Sequence, residues 1–365
     1  MRVKTCTRRA KVGRGGVALS MLPAYGARRK GSSGKGWQAL FPCKIAHVAP
    51  AGLMCIAPAD MKPSSQQRRR FLLLSNRAAG LASSRLVEET VARVAARGGH
   101  VEHCAPSTIA EARAMARDAA RNGGFDAVVA AGGDGTIRQI AAELIGTSVA
   151  LAIVPGGTGN VLAHEIGLAR NPDAVADMLL GGPTLPVTVA RANGEPFLLM
   201  AGAGLDARVL QRLDAMLKSR IGKAAYGPAT LRAVLHPLDT LRVRIGDTAY
   251  MATWAIIANA RHYGGSFVLT RATDVARHGL VAVLFKSQSR TQLLAQLVSL
   301  ARGQLELRAE RAGDIEIVPC AQALIEADTS IPTQLDGDVF GVTPLHVQTT
   351  TDLIALVVPT TCALR

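Results

Sequence analysis

The sequence predicts an α/β fold in which an N-terminal doubly wound α/β domain precedes a β-sandwich-like C-terminal domain. In the first part of the chain, short apolar runs alternate with segments whose apolar residues recur at helical spacing. This alternation is typical of a parallel sheet covered by helices on both faces. After about residue 186, short segments alternate apolar and polar residues between turn signals, which indicates antiparallel strands.

The elements of the first domain follow from this alternation. Apolar runs predict the strands, and apolar residues recurring every three or four positions predict the helices. The glycines of Gly98-Gly99 and Gly123-Gly124 end the first two helices, since glycine readily adopts the backbone of a helix C-cap. The prediction is strand 71–75, helix 86–95, strand 101–104, helix 109–120, strand 127–131, a helix from 136, strand 149–154 and a helix from 161.

The second half is predicted to be rich in β-strands. Its helices are expected only near residues 206–219, 226–235 and 290–302. Its strands are expected at residues 188–191, 197–201, 241–245, 250–258, 280–285, 315–318, 345–348 and 353–358. The predicted domain organisation is therefore a basic extension at 1–66, a nucleotide-binding α/β domain at 67–186, a β-rich substrate domain at 187–345 and a C-terminal segment at 346–365.

Charge and cysteine content exclude some classes of protein. The net charge is +15, but residues 1–70 hold 15 Lys and Arg against one acidic residue, Asp60, while the other 295 residues hold 27 against 26. The folded part is nearly neutral and lacks a basic face interleaved with aromatic residues, so no nucleic-acid partner is predicted. Six widely spaced cysteines fit a reducing compartment. No apolar run reaches the ~18–20 residues of a transmembrane helix, so none is predicted.

Residues 1–60 differ in composition from the rest of the chain. They are rich in Arg, Lys, Gly and Pro and show no sustained periodicity. Three interpretations stay open: an organellar transit peptide, a polybasic tail held on an anionic membrane, or a stretch that is not translated. In the last case Met61, about ten residues before the first strand, is the natural start.

The first glycine loop joins an apolar strand to a helix. Gly132-Gly133-Asp134-Gly135 follows five small apolar residues, and Ile137, Ile140 and their neighbours then recur at helical spacing. Glycines allow the backbone to approach a ligand closely, and a helix N-terminus favours a phosphate. Asp134 would repel a phosphate, so it suggests a divalent cation that carries the phosphate, or an acid/base role beside it.

A second loop repeats the first design. Residues 155–160, Pro-Gly-Gly-Thr-Gly-Asn, follow the apolar strand 149–154 and precede a helix. Because open α/β sheets bind ligands at the carboxyl ends of their strands, the two loops are expected to lie side by side.

These motifs resemble the diacylglycerol kinase catalytic-domain family, which includes sphingosine kinases and bacterial YegS-like lipid kinases. The resemblance is carried by residues 132–136, by residues 155–160 and by Asp336-Gly337-Asp338 near the end of the chain. Residues 201–207 and Tyr263-Gly264-Gly265 look like further signatures of the family. Gly-Gly-Asp-Gly alone is shared with NAD kinases and phosphofructokinases, and the second loop favours lipid kinases.

The resemblance implies an ATP-dependent, Mg²⁺-requiring lipid kinase whose active site lies between the two domains, and a last strand that returns to the first. Asp338 falls where the family usually has a glutamate acting as general base, with Asp336 as its nearest rival. Asp134 is implied in catalysis and as a metal ligand. The residues implied in nucleotide binding are Asn76, Gly80, Gly132, Gly133, Asp134, Gly135, Thr136, Gly156, Gly157 and Thr158.

One position departs from the family pattern. His278 stands where the family commonly has an aspartate that binds a structural Mg²⁺. Histidine is a poor ligand for this hard cation, so that metal is absent or the activity is weakened.

Two functional classes therefore stay open, with a minor third. The first is an active kinase that phosphorylates a lipid hydroxyl, on diacylglycerol, a sphingoid base or a related lipid. The second is a catalytically weak nucleotide- or lipid-binding relative, and the third is a soluble-substrate kinase of NAD-kinase type. The lipid substrate implies a cytoplasmic protein peripheral to the inner face of the membrane. The sequence does not identify the acceptor lipid or the oligomeric state.

Overall fold

A parallel four-stranded sheet forms the first half of the structure. The computed structural model describes residues 67–75, 81–212 and 226–364, so the basic segment 1–66 lies outside it. The elements are β1 Arg70–Ser75, α1 Leu81–Ala96, β2 His100–Cys104, α2 Ile109–Asn122, β3 Ala127–Gly132, α3 Asp134–Ala141 and β4 Ala150–Pro155. The spatial order is β2-β1-β3-β4, with every neighbouring pair parallel. All positions of β3 and β4 are buried, as expected for a parallel sheet covered on both faces.

Two long strands connect this sheet to the second half. After α4 Val161–Glu165 and α5 Pro172–Gly181, the chain enters β5 Thr184–Ala192, which pairs antiparallel with the last strand, β18 Leu345–Val357. The end of β18 pairs parallel with β4, at Leu356 and Leu151. Its first residues pair instead with β15 Gln322–Glu326, so one strand belongs to both halves of the molecule.

The second half contains a β-sandwich. One layer is a six-stranded sheet in the order β14-β13-β10-β7-β16-β17, and the other continues from β18 through β15 to β8 and β9. The strands are β6 Glu195–Phe197, β7 Met200–Ala203, β8 Leu241–Ile245, β9 Thr248–Ala252, β10 Trp254–Ala258, β11 His262–Tyr263, β12 Phe267–Val268, β13 Leu280–Phe285, β14 Ile315–Cys320, β16 Pro332–Leu335 and β17 Asp338–Val342. The helices are α6 Leu205–Gln211, α7 Tyr226–Leu235, α8 Arg290–Ala301 and α9 Leu305–Ala312.

Apolar side chains hold the two layers of the sandwich together. Ile257 of β10 and Leu335 of β16 belong to the same buried cluster as Val347 of β18 and Leu241 of β8. Each of these side chains has no accessible surface. The predicted fold class, a doubly wound α/β domain followed by a β-sandwich-like domain, is therefore confirmed.

Several predicted element bounds are wrong. Residues 345–348 and 353–358 belong to one strand, because β18 is irregular between Thr349 and Leu353 and this breaks its alternating pattern. The predicted strand 197–201 is two strands, β6 and β7. Helix α9 was not predicted, because half of its eight residues are charged and only Leu305 is buried. Helix α3 begins at Asp134, inside the predicted loop.

Candidate active site

The two glycine loops lie against each other at the carboxyl ends of β3 and β4. The Gly156 amide donates a hydrogen bond of 2.9 Å to the Gly132 carbonyl. A Cβ added to Gly157 would lie 2.5 Å from the Gly133 Cα, so the backbones are too close for a side chain at this position. The predicted side-by-side arrangement follows from the parallel pairing of the two strands, since Gly132 is in register with Pro155.

Asparagine shapes the second loop, a role that the sequence analysis missed. Asn160 adopts a left-handed backbone with φ of 49°. Its side chain accepts a hydrogen bond from the Gly157 amide at 2.7 Å and donates one to the Gly157 carbonyl at 2.8 Å. Asparagine is a common residue for this combination of left-handed backbone and local side-chain bonding.

Asp134 links the two loops. Its carboxylate oxygens accept hydrogen bonds from the amides of Val161 (3.0 Å) and Leu162 (3.1 Å), so it caps helix α4 from another part of the chain. Burial raises the pKa of Asp134, these hydrogen bonds lower it, and the nearby Asp338 carboxylate raises it further. The predicted roles in metal binding and acid/base chemistry use the same carboxylate, which here also has a structural contact that the sequence did not reveal.

Asp338 lies directly over the first loop. A Cβ added to Gly135 would collide with the Asp338 carboxylate, so only glycine leaves room for this approach. About half of the Asp338 side chain is exposed, which leaves its oxygens accessible from the cleft. A residue 203 positions away in sequence from Gly135 is thus brought to the first glycine loop.

Arg138 is a feature of the site that the sequence analysis did not select. It lies in the last turn of α3 and is 7% exposed, which is unusual for an arginine. One guanidinium nitrogen, Nη2, is 3.6 Å from the Asp338 carboxylate, and Nε is buried without a hydrogen-bond partner in the described part of the chain. The guanidinium therefore places a positive charge directly behind the candidate base.

Asp336, the rival of Asp338, is held by backbone amides. It is buried, and its two oxygens accept hydrogen bonds of 2.9 Å from the amides of Leu198, Leu199 and Met200. Burial raises the pKa of Asp336 to about 6, although these hydrogen bonds and the charge of Arg138 lower it. Its carboxylate joins the β16–β17 turn to the start of β7, which favours Asp338 over this rival.

Asp206 is a second buried carboxylate at the wall of the cleft. It lies in the first turn of α6, where it accepts hydrogen bonds from its neighbour's amide, at Ala207, and from the Gln334 side chain at 3.0 Å. Burial raises the pKa of Asp206 to about 6. The Asp206–Gln334 contact joins α6 to β16.

The surroundings of His278 do not resemble a metal site. His278 is exposed in the turn before β13. The buried carboxylate of this turn, Asp274, is 3.1 Å from Arg277 Nε and 3.7 Å from Arg261 Nη2. Two arginines thus neutralise it. No group of three or more His, Cys, Asp or Glu side chains suited to a metal occurs among the described residues.

A cavity of about 2180 Å³ extends from the loops. All the predicted residues of both loops, and Asp338, line one end of it; Asn76 and Gly80 lie outside the described residues. The other end is lined by apolar side chains from α6, α7, α8 and the β11–β12 hairpin, among them Val209, Leu231, Val234, Phe267 and Leu297. In the described segments no helix has the length and hydropathy needed to span a bilayer.

Two glycine loops at the carboxyl edge of a parallel sheet, with a carboxylate beside them, are the arrangement in which α/β proteins commonly bind phosphate groups. The family model of the diacylglycerol kinase catalytic domain matches residues 70–192. The model of the YegS C-terminal NAD kinase beta sandwich-like domain matches residues 200–358. The chain therefore belongs to the diacylglycerol kinase catalytic-domain family of lipid kinases.

Individual relatives agree with this membership. A diacylglycerol kinase of Mycobacterium tuberculosis is 30% identical over 266 residues, which are 69% of this chain and 85% of that protein. An uncharacterized Synechocystis protein is also 30% identical, over 60% of this chain, but the match spans only about half (52%) of its own length. The crystal structure of a Bacillus anthracis diacylglycerol kinase matches 81% of this chain and 99% of its own, with a TM-score of 0.60 and 18% identity, which shows the shared fold.

Proposed function

We propose that the protein transfers the γ-phosphate of ATP to the hydroxyl of a lipid, with Asp338 as the general base. The observation that carries the proposal is the lining of the cavity, which combines the glycine loops and Asp338 with apolar side chains of α6, α7 and α8. Such a cavity can hold a polar phosphoryl donor and the chains of a lipid at the same time.

The reaction follows from the positions of these groups. The lipid hydroxyl oxygen attacks the γ-phosphorus, its proton passes to the Asp338 carboxylate, and the bond to the bridging oxygen breaks so that ADP leaves with the electron pair. Arg138, 3.6 Å from Asp338, holds the carboxylate over Gly135. The glycine loops supply backbone donors for the phosphates.

The residues of this site fit a Mg²⁺ ion that binds together with the phosphates of the nucleotide. Two acidic side chains, Asp134 and Asp338, lie close enough to raise the pKa of Asp134, and a divalent cation would relieve this repulsion. Proteins commonly hold Mg²⁺ through one or two carboxylates plus substrate phosphates. When bound, the ion neutralises charge on the phosphates, and Asp134 is the side chain that we infer to bind it.

The apolar half of the cavity favours a lipid over a soluble acceptor. If the acceptor were a polar nucleotide of the NAD type, it would make no apolar contacts with Leu231, Val234 and Leu297. One observation favours the catalytically weak alternative. His278 stands where the family pattern has a metal ligand, and the nearby carboxylate of Asp274 is neutralised by Arg277 and Arg261.

The experiment combines the protein, labelled ATP, Mg²⁺ and mixed vesicles of candidate lipids, beside an Asp338→Asn variant. We expect one lipid to be labelled and kcat to fall by about 10²–10⁴-fold in the variant, because a positioned base contributes a factor of this size. Asp328→Asn, a change at an exposed aspartate between β15 and β16, is the matched control and should retain full activity.

Two outcomes would count against the proposal. Full activity in Asp338→Asn would remove Asp338 from the chemistry. Nucleotide binding without labelling of any lipid would favour the catalytically weak relative.

A further inference from the structure

We propose that the outer surfaces of α7 and α8, together with the adjacent strand β12, dock on an anionic lipid bilayer. The proposal rests on the proposed function, because a bilayer is where a lipid acceptor resides. We define the docking face by five side chains: Leu231, Leu235, Phe267, Leu294 and Val298.

The docking face exposes an unusual amount of apolar surface. Ten large hydrophobic residues of the described chain are exposed, and five of them are on this face. Leu231 and Leu235 are 59% and 58% exposed. Exposed apolar residues grouped in this way are typical of a surface that contacts a partner or a membrane.

The five side chains are contiguous because of helical spacing and packing. Leu231 and Leu235 are four residues apart on α7, as are Leu294 and Val298 on α8, so each pair lies on one side of its helix. The Arg290 guanidinium at the start of α8 donates a 2.9 Å hydrogen bond to the Leu235 carbonyl at the end of α7. Helix α8 also packs against β12, which carries Phe267.

The docking face is also the rim of the cavity. Leu231, Phe267 and Leu294 are exposed to solvent and line the cavity as well. The same cavity reaches Asp338 and the glycine loops at its other end. A lipid whose hydroxyl reaches Asp338 would therefore have its chains leave the protein across this face, where the bilayer would have to be.

The charge around the face specifies the kind of bilayer. Neither α7 nor α8 contains an acidic residue, whereas each contributes one exposed arginine, Arg232 and Arg290. Apolar side chains flanked by cations without acidic neighbours on the same helices fit a surface of anionic headgroups.

The test measures vesicle binding without any phosphoryl transfer. The protein is sedimented with vesicles of phosphatidylcholine alone and of phosphatidylcholine mixed with phosphatidylglycerol. We expect binding to the mixed vesicles to be the tighter, and to fall about tenfold or more in a Leu235→Ser/Val298→Ser variant, since both side chains insert into the interface. These two residues do not line the cavity, so labelling of a short-chain, monomeric acceptor should stay unchanged.

A matched variant controls for the loss of exposed apolar surface in general. Met251→Ser/Val342→Ser changes two equally exposed side chains on β9 and β17 and should bind vesicles like the unmutated protein. An Arg232→Gln variant should show a weaker preference for anionic vesicles, because only Arg290 remains of the two exposed arginines, while keeping its binding to neutral ones.

Three outcomes would overturn the docking face. One is unchanged vesicle binding by Leu235→Ser/Val298→Ser, and another is failure of the unmutated protein to bind either vesicle. The third is that the unmutated protein is a dimer, the variant is a monomer, and both bind vesicles equally well. This result would mean that a second copy of the chain covers the docking face. Binding that depends on the face without labelling of any lipid would contradict the proposed function and leave the docking face standing.

Discussion

Asp336 and Asp338 are separated by one residue, yet one is buried and the other reaches the cleft. The difference arises because Asp336 and Gly337 form a two-residue turn, with φ of 47° and 84°, while Leu335 and Asp338 pair across the hairpin. Positive φ at both central residues is the type I′ arrangement that Asp-Gly favours. The sequence signals the turn, but the three backbone amides that receive Asp336 belong to residues 198–200, which no local pattern connects to it.

The raised pKa of Asp336 predicts a specific pH dependence of stability. Because the folded pKa is about 6 and the ordinary value is 3.8, the folded state binds the proton more tightly. Its contribution to the free energy of unfolding is therefore complete below pH 3.8 and is lost as the pH rises through 6. Relative to an Asp336→Asn variant, the unmutated protein should lose roughly 2 kcal/mol of its free energy of unfolding between pH 4 and pH 7.

Urea unfolding of both proteins at several pH values measures this difference. Comparison with the variant removes the other titrating groups, such as His103, whose pKa is lowered by burial. A constant difference between the two proteins across this range would contradict the prediction. Asp206→Asn, at the other carboxylate with a pKa of about 6, should show a trend of the same sign.

At the scale of elements, the sequence predicted the strands and loops of the first sheet better than the contacts between them. Apolar runs such as residues 127–131 coincide with buried strands because β3 is buried at every position. The cap of α4 could not be predicted, because Asn160 makes no side-chain cap bond and Asp134, 27 residues before Val161, supplies the acceptors. Helix α9 is only eight residues long, half of them charged, and is buried at a single residue, Leu305, so it offers too short an apolar pattern to predict a helix.

The capping of α4 leads to a prediction for Asp134→Ala. Loss of a capping carboxylate should lower the free energy of unfolding by about 1 kcal/mol, which leaves the protein folded. Activity should be abolished, because the variant loses both the link between the glycine loops and the carboxylate that we infer to bind Mg²⁺.

Chemical denaturation and the labelled-lipid assay measure these two effects separately. Asp173→Ala provides a comparison, because Asp173 is an exposed acidic residue in the first turn of another helix, α5. That variant should keep its activity. Full activity of Asp134→Ala would show that neither the link nor the metal is needed.

At the scale of the whole molecule, β5 and β18 connect the sheet that carries the glycine loops to the β-sandwich of the second half. Strand β18 pairs with β4 at one end and with β15 at the other, so the sheet of the first half continues into the sandwich. The sequence predicted both kinds of domain. The resemblance implied that the last strand returns to the first domain, but the residue pattern did not show that a single strand joins both halves, because the irregularity near Thr349 divides it into two apparent strands.

The cavity is lined by both halves of the molecule, so a mutation in its apolar part should affect the lipid acceptor without affecting ATP. Thr230 lies on α7, is partly buried and lines the apolar end. We expect Thr230→Trp to lower kcat/KM for a long-chain lipid by about tenfold, equivalent to ~1.4 kcal/mol, because the indole occupies space that the chains need. The KM for ATP should not change, since the glycine loops lie at the other end of the cavity.

Acceptors of increasing chain length test this separation of the two ends. Thr230→Val, which replaces the side chain with one of the same shape, is the matched control and should behave like the unmutated protein at every length. The short-chain acceptor should be phosphorylated normally by Thr230→Trp, because it does not extend to α7. Equal losses for short and long acceptors would mean that the apolar end of the cavity does not hold the lipid chains, and the acceptor would then have to enter from another side of Asp338.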